Sequence, residues 1–102
     1  MKNVRIEMTI NQVKRFVEQY IYWQIEATHN LMSGDVFSIL PQIYMVDKAH
    51  QISVYAERLK DADVNWEQIY TEASEVARKK WFEENTAPNL KVVKDEHKNT
   101  NA

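Results

Sequence analysis

The chain has 102 residues, 44% of them hydrophobic and 27% charged, with a formal net charge of -2. That is the composition of one globular domain, and so small a charge gives no long-range pull toward nucleic acid or anionic lipid. One glycine, two prolines and no cysteine leave no material for phosphate-binding loops, dinucleotide fingerprints, a nucleophile elbow, disulfides or thiolate metal sites.

An all-β fold needs many tight turns built from glycine and proline, so the composition points to an all-α fold, a three-helix bundle. Val4-Arg5-Ile6-Glu7-Met8 alternates apolar and polar residues, the period of a short N-terminal strand. Its one candidate partner is Leu90-Lys91-Val92-Val93; the two segments pair, within or between subunits, or stay as extended arms.

Thr9 with Gln12 reads as a capping box that opens a first helix over residues 10–32. At about 100° per residue, Val13, Phe16, Val17, Tyr20, Ile21, Gln24, Ala27, Thr28 and Leu31 share one face, broad enough for two neighbouring helices. Arg15, Glu18, Gln19, Tyr22, Glu26, His29 and Asn30 fall opposite and are expected to meet water.

Ser33-Gly34-Asp35 breaks the pattern, and Asp35 can cap a short helical turn over residues 36–40. Pro41 then either kinks one helix or separates two. The second helix, over residues 42–60, carries Met45, Ala49, Ile52, Tyr55, Ala56 and Leu59 on its main apolar face. Asp61-Ala62-Asp63-Val64 makes a turn, and Asn65 with Gln68 caps a third helix over residues 66–84. Its apolar stripe is Trp66, Ile69, Tyr70, Ala73, Val76, Ala77 and Trp81. Residues 1–88 read as one domain, and 89–102 as a polar, largely disordered tail.

Three pairs on the helices carry metal-ligand chemistry: Glu26 with His29, Asp47 with His50, and Glu72 with Glu75. Carboxylates and imidazoles three residues apart share a helix face, as dinuclear metal bundles require. Here each pair falls opposite the main apolar stripe of its helix. They are expected to be solvated, or at most to meet between subunits, so neither a metal nor any other cofactor is expected.

Arg78, Lys79, Lys80, Lys91 and Lys94 are interleaved with Glu75, Glu83, Glu84, Asp95 and Glu96, which argues against a nucleic-acid surface. Val36 to Val46, the longest uncharged run, is too short to span a bilayer, and the charged opening lacks the apolar stretch of a signal peptide. A cytoplasmic location is expected, without a membrane.

The remaining signal is apolar surface that the bundle does not need. Ile43 and Val54 lie on one line with Asp47 and His50, opposite the main face of the second helix. Tyr22 stands among charges, and Phe82 departs from the stripe of the third helix. These six are the candidate partner-binding residues, since aromatic and apolar side chains anchor interfaces. The expectation is a non-enzymatic module that binds another protein as adaptor, inhibitor or regulator, as accessory factors of mobile elements do, and that forms a homo-oligomer. The alternative is a pocket for a nucleotide-like ligand among Phe16, Tyr20, Trp23, Trp66, Tyr70 and Trp81.

Overall fold

The computed structural model describes residues 2–34 and 39–85. Three helices form a bundle: α1 (Lys2–Met32), α2 (Leu40–Arg58) and α3 (Trp66–Asn85). No described residue lies in a strand. The candidate strand at 90–93, the tail at 89–102 and most of the 36–40 turn lie outside the described residues.

The expected N-terminal strand is instead the start of α1. A strand requires a partner for its backbone groups, whereas a helix pairs them within the segment. Val4 and Met8 accordingly stand in solvent. Thr9 sits inside the helix rather than at its cap, its hydroxyl donating to the Arg5 carbonyl at 2.9 Å, the habit of a mid-helix threonine.

The later punctuation follows the sequence. Gly34 takes φ +83°, a left-handed conformation that suits glycine, and its N–H donates to the Leu31 carbonyl at 3.1 Å. Pro41 lies in the first turn of α2, where its missing N–H costs nothing, so it begins that helix rather than kinking it. Asn65 accepts the Gln68 backbone N–H at 3.0 Å, completing half of the capping box. The Gln68 side chain makes no reciprocal bond and reaches Glu72 at 3.1 Å.

α2 runs antiparallel to α1, with ring centroids of Phe16 and Tyr55 5.5 Å apart and those of Trp23 and Tyr44 4.6 Å apart. α3 runs parallel to α1, with Lys14 bound to Glu72 and Glu26 to Trp81. Lys14 and Phe16, like Ile21 and Trp23, are two positions apart, so the sides facing α3 and α2 differ by about 200° around α1. Among the described residues, no Cα of α2 comes within 8 Å of one in α3. The bundle is therefore open, with α1 as the wall shared by two flanking helices.

Ile21 packs with Ala73 and Ala77, and Val17, Tyr20, Tyr22 and Ile25 close around them. Val13, Phe16, Leu59, Ile69 and Trp81 complete the buried core. The middle of the broad α1 stripe is left uncovered toward its end: Gln24 and Thr28 are exposed and Leu31 is 63% exposed. Trp66, Tyr70 and Val76, expected in the α3 core stripe, also stand at the surface.

Because Ala73 is fully buried beside Ile21, Ala73→Leu is expected to lower the unfolding free energy by about 1–3 kcal/mol through overpacking. Thr71→Leu, on the exposed side of the same helix, is expected to change it by less than about 0.5 kcal/mol. Urea unfolding followed by circular dichroism measures both.

Candidate protein-binding surface

α2 is held by its inner face. Pro41 and Leu59 are buried at its two ends. Between them Tyr44 meets Trp23, Tyr55 meets Phe16, and the Lys48 ammonium lies 5.7 Å from the Phe16 ring centroid. Positions 41, 44, 48, 52, 55 and 59 recur at helical spacing, so Ile39, Ile43, His50 and Val54 must point away from α1. All four are exposed, Ile43 at 51% and Val54 at 40%, whereas Val46 borders a groove shared with Tyr20, Gln24 and Leu31 of α1.

Asp47 stands beside this stripe and is anchored within α2. Its Oδ2 accepts from Gln51 at 3.0 Å and lies 3.4 Å from the Lys48 ammonium. Ile43, Asp47, His50 and Val54 are thus brought together on one outward face.

Tyr22 and Phe82 do not join them. Tyr22 turns toward α3, where its hydroxyl donates to Glu84 Oε1 at 2.6 Å and its ring lies edge-on to Trp23 at 5.1 Å. Burial, and then the Glu84 bond, hold its phenol above the ordinary value of 10.0. Phe82 is on the outer side of α3, 63% exposed, with its ring 6.1 Å from that of Trp81. All of α1 separates it from the α2 stripe.

The acid pairs are dispersed in the same way. Glu26 and His29, expected to face water, instead meet α3: Trp81 Nε1 donates to Glu26 Oε1 at 2.8 Å, and the His29 ring lies 5.1 Å from that of Trp81. Glu72 accepts from Lys14 at 2.6 Å. No group of three metal-ligating side chains converges among the described residues, and no described helix is long and apolar enough to cross a membrane.

Two features escaped the sequence reading. One is the apolar end of the α1–α2 hairpin, where Leu31, Met32, Ile39, Leu40 and Val46 are all exposed; apolar residues crowding both sides of the Gly34 break were its signal. The other is a cleft of about 640 Å³ spanning all three helices. Tyr22, Trp23 and Tyr44 supply its rings, Arg15, Lys48 and Lys80 its cations, and Glu18 and Glu84 its carboxylates. Of the aromatic residues expected in a pocket, Trp23 alone lines it.

No protein-family model matches the chain, and no curated protein or solved structure matches it either.

The Lys14 ammonium, and then Gln68, hold the Glu72 carboxyl below its ordinary value near 4.5. A depressed carboxylate stabilises the fold above that ordinary value, and the contribution is lost as pH falls through the lowered one. Glu72→Gln should therefore lower the urea midpoint at pH 7, with the difference from the unaltered chain shrinking as pH falls from about 5 toward 3. A difference that stays constant would deny the ion pair any role in stability.

Proposed function

We propose that this chain is a cytoplasmic, non-catalytic protein-binding module, an adaptor, inhibitor or regulator that works from within an oligomeric assembly. The observation that carries the reading is the outward face of α2, where Ile43 and Val54 stand in solvent on the helix with the open edge. Asp47 and His50 lie on the same line between them, and Glu57 beside it. Apolar side chains set about a polar pair on one exposed face give a protein contact both area and direction.

Benzoylphenylalanine placed at Ile43 and activated by light in producing cells is expected to yield a discrete adduct heavier than the chain. The same probe at Glu75, on the solvated side of α3, should yield none. Equal labelling at the two positions, or none at Ile43, would sink the reading.

A second reading rests on the three-helix cleft. Three rings beside Arg15, Lys48 and Lys80, with Glu18 and Glu84 offsetting part of that charge, offer a stacking surface to a nucleotide-like ligand. Thermal unfolding with millimolar AMP and ATP separates the two: a shift of several degrees favours a ligand site, and no shift removes it.

A further inference from the structure

Ile43, Asp47, His50 and Val54 are separated by four, three and four positions, a spacing that is the same read in either direction. Reversing α2 about the point between Lys48 and Ala49 exchanges Ile43 with Val54 and Asp47 with His50. Both members of each exchanged pair are complementary, apolar with apolar and carboxylate with imidazole. We propose that α2 is a self-association helix, on which the α2 of a second copy of this chain packs antiparallel about a two-fold axis through that midpoint.

In this arrangement Ile43 meets Val54 of the second copy, and Asp47 meets His50 of the second copy, each contact occurring twice as an isologous interface demands. A parallel pair would instead set Asp47 on its own equivalent, with two carboxylates facing each other. Charge therefore selects the antiparallel direction. Asp47 is prepared for the contact: Gln51 and Lys48 both engage Oδ2, which leaves Oδ1 to accept an imidazole N–H.

The same reversal sets Leu40 opposite Glu57 and Ile39 opposite Arg58, whose long aliphatic stem would cover that apolar end of the seam. Among the described residues the approach is open: α1 lies on the inner side of α2, and no Cα of α3 comes within 8 Å of one in α2. Ile43 and Val54 lie 11 positions apart, three turns at a period near that of a straight helix, so two straight helices can keep the contact in register.

This inference rests on the reading of the chain as a module that works in an assembly, and it adds the occupant and the direction. The chain has no cysteine, so introduced thiols report geometry alone. In the antiparallel register, the two copies of position 43 lie about 16 Å apart along the helix. That is beyond the reach of a disulfide, for which Cα atoms must approach within about 7 Å. A mixture of Ile43→Cys and Val54→Cys chains is therefore expected to oxidise to the mixed dimer. It should form roughly tenfold or more faster than either variant links to itself, and faster than a Glu75→Cys control. By light scattering the unaltered chain should have twice the monomer mass, and Ile43→Asp combined with Val54→Asp should be a helical monomer.

Preferential linkage of 43 to 43 overturns the direction, and a monomeric unaltered chain overturns self-association. Either leaves the module reading standing if the probe at Ile43 gives an adduct whose added mass is not that of a second copy. Absence of any adduct together with a monomeric chain removes both.

Discussion

Two opposite sides of one helix are buried in this protein, and the rest of the structure follows from that. α1 meets α2 through Phe16 and Trp23 and meets α3 through Lys14 and Ile21, sides about 200° apart. Helices held on opposite sides of a wall cannot touch each other, so the bundle stays open and each flanking helix keeps an outer edge. An open bundle buries less apolar area than a closed one of equal length. In a chain this short, edges that remain apolar are natural places for association to add stability.

The two seams are built differently. Against α2, α1 presents rings, and Phe16 with Tyr55 and Trp23 with Tyr44 fill a wide gap with aromatic area. Against α3, the small side chains of Ala73 and Ala77 let the backbones approach. Polar residues of α1 then close the margins: Lys14 on Glu72, Tyr22 on Glu84 and Glu26 on Trp81. Those margins are why residues with the look of a solvated face became contacts. Lysine and tyrosine carry long apolar bodies that can lie along a seam while their polar ends find partners.

The α2 stripe could be read from spacing because a helix with one buried side exposes the opposite one, and α1 is the one described helix that packs on α2. Tyr22 could not be placed that way, because α1 has two neighbours and periodicity does not say where the second one sits. Phe82 was correctly placed on an outer face, but only the arrangement of helices puts α1 between it and Ile43. The cleft lined by Tyr22, Trp23 and Tyr44 was illegible for a similar reason: its rings come from two helices whose relative rotation no local pattern encodes.

What the sequence determined by itself was the helical class, three segments whose C-terminal ends fall close to those observed, and the punctuation at Gly34 and Asn65. These depend on backbone conformations and on bonds within a few residues, and such preferences act before any tertiary contact forms. Tertiary structure decided the rest. It extended α1 back to Lys2, a helix pairing the backbone groups of residues 4–8 within the segment, and it moved Glu26 and His29 from the expected solvent side to the α3 seam. It also left Leu31 and Val76 uncovered. Each of these depends on which surfaces of separate helices meet, and burial is a property of the pair rather than of either sequence alone.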